Sequence, residues 1–133
     1  MTKFHLQIVT PDGLIYDGEA ERLSVRTIDG EVGILANHID YVTALGMGEA
    51  RLLLDGKTRR AACIGGMLSV SKGEVKLVAT TFEWAEDIDK ERAERAYQKA
   101  KTALDEQKLS EADLKITEAK LKRALVRKGV ASK

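Results

Sequence analysis

From Phe4 to about residue 82, hydrophobic side chains alternate with polar ones; after Trp84 they recur at helical spacing. Phe4, Leu6 and Ile8 alternate with His5 and Gln7, the period of a strand with one buried face, until Pro11-Asp12-Gly13 turns the chain. Residues 14–16 and 23–26 continue as short strands. Segments 51–54 and 58–62 flank Asp55-Gly56-Lys57, and segments 67–71 and 74–80 flank Lys72-Gly73. Each pair predicts a hairpin, because Asp-Gly and similar pairs accept positive φ. All but one of the 11 glycines precede residue 74. Many short strands with closely spaced turns predict a β-sandwich over residues 1–84, a flattened barrel of about ten short strands.

Beyond Trp84, Ala93, Ala96, Ala100 and Ala103 form a narrow stripe with Tyr97 and Leu104 beside it, which predicts a helix. Asp89 stands where an N-cap belongs. Lys108-Leu109 breaks the pattern, and Ser110 with Asp113 three residues on resembles a capping box. A second helix runs through Leu114, Ile116, Ala119, Leu121 and Leu125 and is expected to stop at Gly129. The whole chain therefore reads as α+β, with an antiparallel two-helix hairpin over 85–133. Its alanine-rich seam buries little area, so the hairpin is expected to be held weakly.

Charge separates the two parts further. The formal net charge is +1 overall, but residues 1–84 carry −2 and residues 114–133 carry +6. A basic end on a near-neutral body asks for an anionic partner. Aromatic residues make up 5% of the chain, and with a slightly acidic sandwich this argues against nucleic acid. The lone Cys63, in AACIGGM, suits a buried small side chain in a reducing compartment. No apolar run approaches the roughly 20 residues that span a bilayer, so membrane association is expected only through a complex.

Catalytic chemistry is hard to find. Gly56-Lys57-Thr58 imitates the end of a phosphate loop, but Arg51 stands where its first glycine belongs. His5 and His38 with one cysteine give no metal-ligand spacing, so no metal site is expected. No nucleophile, base and oxyanion donor assemble, and the chain is not expected to be an enzyme. Taken alone, Asp89 and the charges after it are explained by capping and a solvated face. A free nucleotide-binding or basic-helix module is the alternative reading.

Val9-Thr10-Pro11-Asp12-Gly13, Gly30-Glu31-Val32-Gly33-Ile34-Leu35 with His38, Gly65-Gly66, and Ile88-Asp89-Lys90-Glu91-Arg92-Ala93 occur in that order. On a sandwich followed by a hairpin, this series resembles the ε subunits of bacterial F-type ATP synthases over nearly the whole length. The family carries proline and glycine where this chain has Ala36 and Asn37. The resemblance implies a non-catalytic rotor subunit of the central stalk, coupling proton transport to ATP synthesis on the cytoplasmic face of the cell membrane. Its sandwich would bind the γ subunit, with His38 as a stalk contact, and Glu31 would meet the polar loops of the c-ring.

The last motif matches the family's ATP-recognition pattern, Ile/Leu-Asp-x-x-Arg-Ala. The resemblance implies that the folded hairpin binds ATP, with or without Mg²⁺, as a regulatory ligand beside the sandwich. The matching residues are Glu83, Ile88, Asp89, Arg92, Ala93, Lys99, Arg123 and Arg127, with lysine at 99 where arginine is usual. Ile88 and Ala93 would touch a purine, Asp89 would accept from its amine, and the four cations would hold phosphates. When extended, the hairpin would inhibit hydrolysis by laying Lys122, Arg123, Arg127 and Lys128 on the catalytic β and α subunits.

Overall fold

The computed structural model describes residues 2–106 and 109–132. It divides into two compact units, 1–84 and 85–133.

The first unit is all β. Its strands are β1 (Phe4–Thr10), β2 (Gly13–Ala20), β3 (Arg22–Thr27), β4 (Gly30–Ile34), β5 (Tyr41–Ala44), β6 (Met47–Leu54), β7 (Lys57–Ser71) and β8 (Glu74–Trp84). They pair in the order β2-β1-β8-β7-β6-β3-β4, with β5 also on β7. Every pairing is antiparallel except β1 with β8, where Leu6 lies opposite Val75. Alternation along β1 sends Phe4, Leu6 and Ile8 inward, and they meet Leu23, Val25, Ile34, Leu52, Leu68 and Leu77 in one core. Both anticipated hairpins form: Asp55-Gly56 and Lys72-Gly73 each have positive φ at both positions, as tight two-residue turns require.

The described residues form eight strands, against about ten expected. The segments 58–62 and 67–71 are two ends of the 15-residue β7. Gly65 and Gly66, at φ 70° and 115°, bend that strand without ending it, and it pairs with β6 before the bend and β5 after it. Only glycine fits there, since a Cβ on Gly66 would lie 1.9 Å from the Val78 carbonyl oxygen.

The second unit begins with a 3-10 turn (Ala85–Asp87), followed by α1 (Lys90–Asp105) and α2 (Glu111–Ser132). Asp89 caps α1, its Oδ1 accepting the Arg92 N–H at 3.0 Å. Ser110 Oγ accepts the Asp113 N–H at 3.3 Å and caps α2. Of the anticipated break, Leu109 precedes that cap, while Lys108 lies outside the described residues. Glu94 near the start of α1 meets Lys128 near the end of α2, so the helices run antiparallel.

Two details of the hairpin differ from expectation. Gly129 does not end α2, which continues through buried Val130 and Ala131. Burying a valine gives about 1.5–3 kcal/mol, more than the roughly 1 kcal/mol that a helical glycine costs. The seam is also phased differently. Ala93, Tyr97, Ala100 and Leu104 line α1, while Thr117, Leu121, Ala124, Lys128 and Ala131 line α2, both at alternating steps of four and three. Ala96, Ile116 and Leu125 miss that phase by about one residue, or about 100°, and are exposed.

Candidate functional site

Within the hairpin, phase decides which charges meet. Arg92, Lys99 and Arg123 each stand one position before a buried alanine, namely Ala93, Ala100 and Ala124. Each is therefore turned about 100° to the same side of its helix's buried line, and Arg127, three after Ala124, falls on that side too. Antiparallel helices packed through these lines bring equivalent sides to one face of the pair. Glu94, one position after Ala93, lies on the opposite face, where its Oε2 accepts from Lys128 Nζ at 2.8 Å. Stepping five residues toward the loop from that contact puts Lys99 level with Arg123. Four cations thus share one face, with Asp89 at its α1 end.

The Asp89 carboxylate is exposed and is positioned by its capping bond to Arg92. Arg92, Lys99 and Arg123 are exposed and Arg127 is half-buried. Ile88 and Ala93 are buried, so the apolar surface expected for a purine is not presented; they pack the turn and seam that hold Asp89 and Arg92. Glu83 belongs to the other unit, half-buried on β8 opposite Ala62.

The anticipated basic segment does not form one surface in the folded hairpin. Lys122 points outward, Arg123 and Arg127 share the cationic face, and Lys128 is engaged on the other. Its Nζ also lies 4.5 Å from the centre of the Tyr97 ring. The hydrogen bond that Lys128 donates to Glu94 raises the Lys128 pKa and lowers that of Glu94.

In the sandwich, Glu31 is exposed on β4, opposite Arg26 of β3. The turn before it is fixed by Thr27, whose Oγ1 accepts the Asp29 N–H at 3.1 Å and donates to the Gly30 carbonyl at 2.8 Å. His38 is half-buried; its Nδ1 donates to the Ile39 carbonyl at 2.7 Å and its ring is tilted against Tyr41 at 5.9 Å. Asn37 takes φ +65°, a region asparagine tolerates better than most residues. Asp40 anchors this loop by accepting the Lys72 N–H at 2.9 Å.

Two features were not anticipated. Ala44, Met67, Val78, Val9 and Leu14 lie opposite one another in turn across five strands on the outer face. Met67, Val78 and Leu14 are exposed, and a groove of about 310 Å³ runs beside them along Thr10, Pro11 and Gly66. Apolar residues at outward-facing positions were the available signal. The second is His5, which joins three strands: Nδ1 donates to Glu74 and Nε2 to Asp17, both at 2.5 Å. Those hydrogen bonds, to Glu74 first and Asp17 second, raise its pKa. Burial pushes the Cys63 thiol up to about 12, an inert state for a thiol at neutral pH. Among the described residues, no group of His, Cys, Asp and Glu could hold a metal ion, and no helix is long and apolar enough to cross a membrane.

A sandwich with an outward apolar row, followed by a small cationic hairpin, defines a subunit built for contact. Residues 3–85 match the family "ATP synthase, Delta/Epsilon chain, beta-sandwich domain", and residues 86–131 match "ATP synthase, Delta/Epsilon chain, long alpha-helix domain". The chain belongs to this ATP synthase delta/epsilon family and has the place of a non-catalytic, epsilon-type subunit. It is 42% identical to the ATP synthase epsilon chain of Bacillus velezensis over 98% of both chains. It is 39% identical to that of Caldicellulosiruptor bescii over 96% of this chain and 92% of the relative. The fold also resembles a chain of the Euglena gracilis mitochondrial ATP synthase, solved as OSCP/F1/c-ring in rotational state 1. The TM-score is 0.85 and the identity 24%, over 97% of this chain and 81% of that one.

Proposed function

We propose that this chain is a rotor subunit of the central stalk whose hairpin binds ATP when folded and restrains ATP hydrolysis when extended. The observation that carries this reading is the common face of Arg92, Lys99, Arg123 and Arg127. Like charges on facing helices repel, which works against a seam of small side chains. A polyphosphate between them converts the repulsion into charge-assisted hydrogen bonds and holds the helices together. Asp89, anchored at one end of the face, accepts from the purine's amine; Ile88 and Ala93 support it from below. Lys99 supplies a point charge and no bidentate fork. Any Mg²⁺ arrives with the phosphates, because the hairpin provides cations at this face.

Docking falls to the sandwich. The apolar row from Ala44 to Leu14 meets the γ subunit, with His38 and the exposed Ile39 beside Tyr41 as a further stalk contact. Glu31 and the exposed Ile28 on the β3–β4 turn meet the polar loops of the c-ring, which places the subunit at the cytoplasmic face of the membrane. The extended hairpin meets the catalytic β and α subunits through Lys122, Arg123, Arg127 and Lys128.

Bound ATP stabilises the folded hairpin by about 2.7 kcal/mol at a hundredfold excess over Kd. That is comparable with what a short alanine seam supplies, so ligand shifts the balance. The test is calorimetric titration of the full chain with ATP and ADP, with and without Mg²⁺, paired with hydrolysis assays of the assembled synthase. ATP binds in preference to ADP, and removing residues 108–133 raises hydrolysis most at low ATP. Equal hydrolysis by intact and truncated complexes at every ATP concentration would sink the inhibitory role.

A further inference from the structure

The outer face of β3 carries Arg22, Ser24 and Arg26, since Leu23, Val25 and Thr27 take the buried positions. Arg51 of β6 lies directly opposite Ser24, and Arg60 of β7 lies opposite Arg51. Arg51 and Arg60 share Glu49, at 3.0 and 2.5 Å. Arg22 and Arg26 differ from them: among the described residues neither forms an ion pair. The carboxylate of Glu31 lies across from Arg26 on β4, yet the arginine leans the other way.

Both side chains are nonetheless seated. A Cβ on Gly48 would stand 2.8 Å from the Arg26 Cβ and 3.0 Å from its Cδ, so the stem of Arg26 occupies space that only a glycine leaves open. The Arg22 guanidinium lies over Gly33, with Nη2 and Nε at 3.7 and 3.9 Å from where its Cβ would be. Between Arg22 and Arg51 a groove of about 190 Å³ is lined also by Ser24, Leu52, Leu53 and Thr58. The placed guanidinium of Arg22 beside the Ser24 and Thr58 hydroxyls, and the seated stem of Arg26, present two cations without ion-pair partners that are suited to external carboxylates.

We infer that the outer face of β3 and β6 is a docking surface for an extended acidic segment of a partner chain, gripped by Arg22 and Arg26 with Arg51 between them. The spacing favours this occupant. Arg22 and Arg26 are four residues apart, or about 13 Å along a strand, and Arg51 divides the interval. Acidic residues at alternate positions of an extended peptide repeat at about half that distance. Nucleic acid fits poorly: the row has no aromatic platform, Glu31 and Glu49 flank it, and the whole sandwich carries −2. This surface belongs to the sandwich alone.

A fluorescein-labelled octapeptide of alternating glutamate and serine, titrated into the full chain at low salt and read by anisotropy, tests the inference. Arg22→Glu with Arg26→Glu weakens binding at least tenfold, whereas Lys115→Gln with Lys120→Gln on α2 changes it less than threefold. Gly48→Ala, which alters no charge but displaces Arg26, weakens binding severalfold while circular dichroism stays that of the parent. Backbone amide shifts on adding the peptide concentrate in β3 and β6. Parent-like affinity in the double arginine variant, shifts confined to α2, or tighter binding of a single-stranded DNA decamer through the same arginines would each overturn it.

Discussion

In the sandwich the largest fully buried side chains are leucines, isoleucines and valines: Leu6, Ile8, Leu23, Val25, Ile34, Leu52, Leu68, Val70 and Leu77, packed among alanines such as Ala50 and Ala61. The hairpin buries Ala93, Ala100, Ala124 and Ala131 as the small members of its seam, with Ile88 and Val130 the larger side chains. A leucine removed from water contributes about 1.5–3 kcal/mol, but an alanine methyl contributes about 0.8 kcal/mol per carbon. Two kinds of stability follow from one chain. The β unit owns a core that can hold a fixed shape under load. The helical unit buries fewer large side chains and has less apolar burial to hold it.

The comparison breaks most readily at the core. Leu77→Ala should cost about 2–5 kcal/mol in chemical denaturation followed through Trp84, whereas Ala100→Gly should cost about 1 kcal/mol in helix signal. Equal losses would mean that the units are not energetically distinct. Next in size is the ligand: Arg92→Gln should weaken ATP binding by about 1–3 kcal/mol, through loss of a charged hydrogen bond, and leave the sandwich transition unmoved. Calorimetry that cannot tell the variant from the parent would place the nucleotide elsewhere.

Gly129→Ala sharpens the contrast from the other side. The glycine is helical with open space where a Cβ would go, so alanine should stabilise α2 by about 1 kcal/mol and favour the folded hairpin. Amide exchange in α2 would report it. The tie between Glu94 and Lys128 is smaller, because both side chains are substantially exposed and screened. Lys128→Met should loosen the hairpin slightly, and exchanging the two residues as Glu94→Lys with Lys128→Glu should restore it.

The least effect is expected from pH. His5 faces Glu74 and Asp17 directly, with Glu19 opposite on β2 and Lys76 and Lys3 nearby on the same outer face. Its folded pKa is raised, so its contribution is fully present below the unfolded value near 6.5 and is lost as pH climbs through the folded value. The sandwich of the parent should therefore weaken slightly over that interval, and His5→Gln should show no such slope. An identical slope in the variant would assign it to other groups.

Local sequence set the division near Trp84, because period two and period 3.6 cannot both be satisfied by one backbone form. It determined both two-residue turns and both helix caps, all of which depend on residues adjacent or nearly adjacent in the chain. Spacing and resemblance also nominated Glu83, Ile88, Asp89, Arg92, Ala93, Lys99, Arg123 and Arg127 as a candidate site, without saying how they meet. Tertiary structure decided the rest. Whether 58–62 and 67–71 are two strands or one depended on partners β5, β6 and β8 along both sides of Gly65 and Gly66. Whether Gly129 ends a helix depended on burial available to Val130 beyond it. Which alanines form the seam, and hence that Lys128 opposes Glu94 while Arg123 joins Lys99's face, required the phase of two helices against each other. The His5 clamp and the apolar row join residues up to 69 positions apart, whose strand order and register local sequence does not encode.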